Sequence, residues 1–134
     1  MFKNSLALGV VAGILSGLAC TVFAYVYKEA VTVDFSPVIS TFNYFGACLF
    51  ACVLASLGFY IFNKVLKKYG EIIFNLLFII LSFASILFPL MYSFPPDLEV
   101  KDVDMITSYF QPFAMTLHFF PALIWFAVKP IFIK

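Results

Sequence analysis

His118 is the chain's only histidine and lies in an apolar run, MTLHFFP, one helical turn before Pro121. An ionisable side chain at membrane depth is a functional-site hypothesis by default. The ring could ligate haem, with one ligand per chain, or hydrogen-bond a quinone. The alternative is a neutral imidazole that bonds a neighbouring helix, either at Asn43 or at a carbonyl that Pro121 leaves free.

Asn43 and the three cysteines are further side chains in apolar segments that could do chemistry. An amide such as that of Asn43 can hydrogen-bond another helix, which contributes about 0.6 to 2 kcal/mol and fixes register. We expect Cys20 and Cys48 at similar depth, so a disulfide between them is conceivable. Cys52 follows Cys48 by one helical turn. Burial of all three as small apolar side chains is the alternative that we favour.

No catalytic constellation is present in the sequence. It contains neither HExxH nor GxSxG, and no pair of membrane-embedded aspartates. The acids Asp97, Glu99, Asp102 and Asp104 match no calcium loop, and a solvated acidic face accounts for them. We therefore expect a protein that is not an enzyme, with no metal, no cofactor and no nucleic-acid partner.

The composition is that of an integral membrane protein. Hydrophobic residues make up 64% of the chain and charged residues 11%, with a mean hydropathy of +1.08. A soluble domain of 134 residues would need far more polar surface. The charges cluster between apolar stretches of about 20 residues, the length that crosses a bilayer. We predict one all-α transmembrane domain over residues 1–134, a four-helix bundle with spans at about 5–27, 39–62, 72–94 and 105–128.

The segments between the predicted spans indicate how the helices are arranged. Short loops after the first and second spans predict antiparallel neighbours, and Pro95 and Pro96 are expected to end the third helix. The fourth helix could begin near Met105 or at Pro112. Residues 97–110 could form an interfacial helix on the outer leaflet or an irregular loop whose acids face water.

The charges also predict an orientation. One set of loops and ends carries a net charge of +5, and the other carries −4. Because lysine-rich loops stay in the cytoplasm, both termini and the loop Lys64–Glu71 are placed there. The expected location is the inner (cytoplasmic) membrane, which the chain crosses several times.

The first span carries glycines four residues apart, Gly9, Gly13 and Gly17, which we name the glycine stripe. Small residues at this spacing, a glycine zipper, let two helices approach closely in lipid. The second span has small residues at the same spacing, which we name the alanine row: Ala47, Ala51 and Ala55. A neighbouring row of small residues, Cys48, Cys52 and Ser56, lies beside it. We expect these two faces to pack on each other, although the stripe could instead contact a second copy or another subunit.

The layout resembles a family of small bacterial four-helix membrane proteins that is classed only as a domain of unknown function. The residues that carry the resemblance are GVVAGILSGLACTVF in the first span, VDFSP after it, LGFYIF closing the second, and MTLHFFPALI in the fourth. The resemblance implies a four-span fold and no known activity, substrate or cofactor.

Three functions fit these patterns. The leading hypothesis is a non-enzymatic accessory or scaffold subunit of a larger membrane complex, because the chain offers helix-packing faces and no reactive cluster. Its partners would be membrane lipid and either other membrane subunits or further copies of itself. The second is a small homo-oligomeric transporter or channel for a small or hydrophobic substrate. The third is a haem- or quinone-binding redox subunit that uses His118.

Overall fold

The computed structural model describes residues 1–92 and 103–133, and within them every regular element is helical. The helices are α1 (Phe2–Val31), α2 (Thr41–Leu66), α3 (Gly70–Ser85), α4 (Leu87–Met91) and α5 (Val103–Phe132). Three helical stretches are long and apolar enough to cross a membrane: Phe2–Val31, Thr41–Met91 and Thr107–Phe132. The second of these contains α2, α3 and α4.

The chain reverses between α2 and α3. A 3-10 turn at Lys67–Tyr69 joins them, and Lys67 takes a left-handed φ of 46°. The two helices then pack side by side, because the Phe74 ring lies 5.5 Å from Phe59 and 5.9 Å from Phe62. Thr41–Met91 is therefore a helical hairpin and not one straight rod.

A break separates α3 from α4 at Ile86, within the segment expected to be one continuous helix over 72–94. Pro89 has no N–H, so the carbonyl of Ser85 loses its partner in the helical ladder. The chain tightens there, and the Ile86 amide donates to the Phe83 carbonyl three residues back at 3.2 Å. Pro95 and Pro96, the expected stop, lie outside the described residues.

The helix α5 runs through three prolines, Pro112, Pro121 and Pro130. It begins at Val103, so Pro112 lies inside it and is not its start. Residues 97–102 of the expected interfacial segment lie outside the described residues, and the remainder belongs to this helix. Prolines are tolerated in apolar helices when neighbouring groups satisfy the freed backbone.

The charges separate to opposite ends of the bundle. At one end the Lys129 ammonium contacts the carboxylate of Glu71 and lies 4.9 Å from the centre of the Phe59 ring. Asn4 donates to the Phe132 carbonyl at 3.2 Å there, so both chain ends meet the α2–α3 turn. At the other end Tyr27 of α1 donates to the Tyr109 carbonyl of α5 at 2.8 Å.

Two buried clusters fill the bundle. The first centres on Trp125, which is fully buried and donates its indole N–H to Ser56 Oγ at 2.8 Å. The second is rich in aromatic rings, with Phe35 and Phe113 stacked at 5.2 Å. Rings in such offset and edge-to-face pairs add about 0.5 to 1.5 kcal/mol each beyond their buried area.

The helices α1 and α2 approach each other closely through the glycine stripe. A Cβ built on Gly13 would lie 2.7 Å from the Leu49 Cα, and one on Gly9 would lie 2.9 Å from the Cys52 carbonyl oxygen. A Cβ on Gly17 would meet the ring of Phe45. The stripe is therefore a helix-packing face, and α2 of the same chain packs against it.

Replacement of Gly13 by leucine should destabilise the protein by about 1 to 3 kcal/mol, because the side chain would overlap the α2 backbone. The measurement is unfolding in mixed micelles of mild detergent and SDS. Gly46→Leu is the matched control, since a Cβ at Gly46 meets nothing within 4 Å. Equal effects of the two substitutions would contradict the packing described here.

Candidate functional site

A groove of about 720 Å³ lies between α2, α3 and α5. Aliphatic and aromatic side chains form most of its lining, which extends from Phe62 and Phe74 near one end of the bundle to Ile39 and Asn43 near the other. Its volume falls within the range of small-molecule sites, about 300 to 1,000 Å³. Among the described residues no Asp, Glu, Lys or Arg lines it.

The alanine row lines this groove and does not pack against the glycine stripe. Ala47 is exposed, Ala51 is partly buried and Ala55 is buried. The reason lies in helix geometry: the α2 residues nearest the stripe are Phe45 at Gly17, Leu49 at Gly13, and Cys52, Val53 and Ser56 at Gly9, which lie on a different face.

His118 lies at the middle of α5 and is half-buried in the groove wall. Its Nδ1 lies 3.1 Å from the Oγ of Ser85 on α3. The sequence predicted that His118 would bond either Asn43 or a carbonyl that Pro121 leaves free. Its partner in the structure is Ser85 instead. The break after Ser85 places this hydroxyl at the end of α3, beside the histidine.

The hydrogen bonds around Ser85 decide which imidazole nitrogen carries the proton. The Ser85 hydroxyl has one proton and donates it to the Ser82 carbonyl at 2.7 Å. It therefore accepts from His118, so Nδ1 is protonated in the neutral ring. Nε2 then carries a lone pair, and among the described residues it has no hydrogen-bond partner. This tautomer follows from the network around the ring.

Asn43 lines the same groove from the first turn of α2. Its backbone amide donates to the Ser40 hydroxyl at 3.3 Å and so caps the helix. Its side-chain amide makes no hydrogen bond to any described residue. The groove thus has two polar side chains with unused hydrogen-bonding capacity, His118 and Asn43, at different heights.

The cysteines lie on and behind the groove wall, and none is in a disulfide. Cys20 Sγ and Cys48 Sγ are 3.5 Å apart, and Cys48 lines the groove. Cys52 Sγ lies 3.7 Å from Ser16 Oγ and also 3.7 Å from the Pro121 carbonyl. Within residues 1–92 and 103–133, no three His, Cys, Asp or Glu side chains are grouped to hold a metal ion.

An ion pair lies outside the bundle, where α1 joins α2. Lys28 Nζ and Asp34 Oδ2 are 2.7 Å apart and both are exposed. The ammonium of Lys28, followed by the backbone amide of Ser36, lowers the pKa of the Asp34 carboxyl to about 2. The pair shapes the loop at this end and is remote from the groove-lining His118. The acids Asp97, Glu99 and Asp102 fall outside the described residues.

Sequence reasoning identified His118 and Asn43 but missed the two serines of α3. Ser82 and Ser85 are three residues apart and so lie on one helical face, with Pro89 one turn further on. That spacing was a usable signal for a polar site at a helix break. Their proximity to His118 depends on how α3 packs on α5, which no local pattern encodes.

No protein-family model, curated protein or solved structure matches this chain. The function must therefore be argued from the groove and its side chains.

Proposed function

We propose that the chain is a four-span protein of the bacterial inner membrane that binds one amphipathic molecule in the groove. This molecule is largely apolar and carries a hydroxyl group. The proposal corresponds to the hydrophobic-substrate carrier among the hypotheses that the sequence raised, and it involves no catalysis by the protein.

The observation that carries the proposal is the unpaired Nε2 of His118. The protein does not bury this atom, which is accessible from outside the helices. In a groove filled by lipid chains, a polar group without a partner is costly because no water reaches it. A ligand hydroxyl that donates to Nε2 would remove this cost. The apolar lining, with few polar groups, suits the remainder of such a molecule.

Four spans are supported by the hairpin of α2 and α3 and by the segregation of charge. The lysines at the α2–α3 turn, Lys64, Lys67 and Lys68, lie at the same end as both chain ends. The opposite end carries Lys28 paired with Asp34. By the positive-inside rule, the lysine-rich end faces the cytoplasm.

An accessory subunit is the second candidate, and the alanine row favours it. Ala47 and Ala51 lie four residues apart in the groove and would let a partner helix approach α2 closely. The glycine stripe no longer supports this candidate, because α2 of the same chain occupies it.

The binding proposal predicts a preference for a hydroxyl donor. The protein in lipid nanodiscs should bind 1-dodecanol about 2- to 13-fold more tightly than dodecyl methyl ether, the range given by one net hydrogen bond. His118→Phe should remove that preference, and Ala51→Trp should reduce binding of both probes by filling the groove. Gly46→Leu, outside the groove, is the control. Native mass spectrometry measures the occupancy.

Equal affinity for the alcohol and the ether in the unmodified protein would overturn the hydroxyl assignment. Full binding by Ala51→Trp would overturn the groove as the site. A second protein that co-purifies at one copy per chain, is displaced by Ala51→Trp and is retained by Gly46→Leu would instead favour the accessory subunit.

The four-span topology predicts which positions react from outside the cell. A cysteine introduced at Asp34 should react with a membrane-impermeant maleimide on intact spheroplasts, whereas one introduced at Lys67 should react only after lysis. The native cysteines are buried, so background labelling is low. Labelling of the Lys67 position in intact spheroplasts would contradict the orientation.

A further inference from the structure

Two thiols from different helices face each other beside the groove. Cys20 of α1 and Cys48 of α2 have their sulfur atoms 3.5 Å apart, and they are 0% and 4% exposed. The glycine stripe fixes this approach, because Gly17 contacts α2 one turn before Cys20. The sulfur atoms are at van der Waals contact, so they must approach by about 1.5 Å to form a bond.

The surroundings favour a neutral product from this pair. Binding a soft metal ion would require thiolates, and two thiolates with one monovalent cation leave a net negative charge. No lysine or arginine among the described residues lines the groove beside Cys48 to compensate it. A disulfide is uncharged and apolar, and therefore suits the site better.

An oxidant can reach the pair through the groove. Cys48 lines it, whereas Cys20 lies behind Cys48 and is fully buried. A molecule that enters must be largely apolar. Its reduced form should carry a hydroxyl group that donates a hydrogen bond to His118 Nε2. A quinone meets both requirements, because its carbonyl groups become hydroxyl groups on reduction.

We propose that Cys20 and Cys48 are a redox-active dithiol that a quinone bound in the groove oxidises to a disulfide. The inference rests on the proposed function and names the ligand class of that same groove. It adds a chemical role for two side chains that ligand binding alone does not use.

The reaction balances within the pair and the quinone. Two S–H bonds break and one S–S bond forms between Cys20 and Cys48. The two electrons and two protons that leave the thiols convert the two quinone carbonyls to the hydroxyls of a hydroquinone. His118 accepts a hydrogen bond from one of these hydroxyls and so stabilises the product in the groove.

The test uses the reduced full-length protein in nanodiscs with decylubiquinone as the probe. After denaturation and alkylation, the reduced protein carries three labels and the oxidised protein carries one. We expect the loss of two labels with one equivalent of hydroquinone formed, followed by its ultraviolet absorbance. Cys52→Ala should react at the same rate, whereas Cys20→Ala and Cys48→Ala should form neither an intramolecular disulfide nor hydroquinone.

Two further measurements keep the inference separable from the binding proposal. Diamide, a small oxidant, tests whether the thiols can join without a quinone. Ala51→Trp should slow quinone oxidation at least tenfold, whereas Gly46→Leu, which lies outside the groove, should leave its rate unchanged. No disulfide with either oxidant would overturn the inference, even if the alcohol still binds the groove. A disulfide with diamide alone would overturn the role of the quinone, and equal quinone rates in Ala51→Trp would overturn the groove as its route.

Discussion

The close contact of α1 with α2 through the glycine stripe is the constraint on which the rest of the structure depends. In the membrane that we propose as its setting, apolar helices gain little from hiding apolar surface, so dispersion contacts at short range must hold them together. Gly13 permits this because the space a side chain would fill belongs to Leu49. The contact also brings Cys20 to within 3.5 Å of Cys48 between their sulfur atoms.

The groove is a consequence of that contact. Because the face of α2 with Phe45, Leu49 and Cys52 lies against the glycine stripe, the alanine row faces α3 and α5, where its small side chains leave space. The break at Ile86 then ends α3 beside His118 and supplies Ser85 as its partner. The close α1–α2 interface and Pro89 thus produce a cavity lined by His118, whose unpaired Nε2 is a hydrogen-bond acceptor.

Much of the helical architecture could be predicted from the sequence, because apolar runs of span length and clustered charges are local signals. The first, second and fourth predicted spans differ from α1, α2 and α5 by two to four residues at their ends, whereas the third covers α3, the break at Ile86 and α4. The glycine stripe was recognised as a packing face. Of the two small-residue rows predicted on the second span, Cys52 and Ser56 lie against Gly9, whereas the alanine row lines the groove. Pro89 is a sequence signal for the break at Ile86. The prediction passed over it because the third segment is continuously hydrophobic. The pairing of His118 with Ser85 depends on tertiary packing alone.

The central claim is that His118 presents an unprotonated Nε2 to the groove, and nitrogen NMR tests it most directly. The chain has a single histidine, so labelling that residue gives one pair of ring signals. In protein with an empty groove at neutral pH, the account predicts a protonated Nδ1 and an unprotonated Nε2, with Nε2 shifted when 1-dodecanol is added. A proton on Nε2 in the empty protein would contradict the tautomer and, with it, the ligand chemistry proposed here.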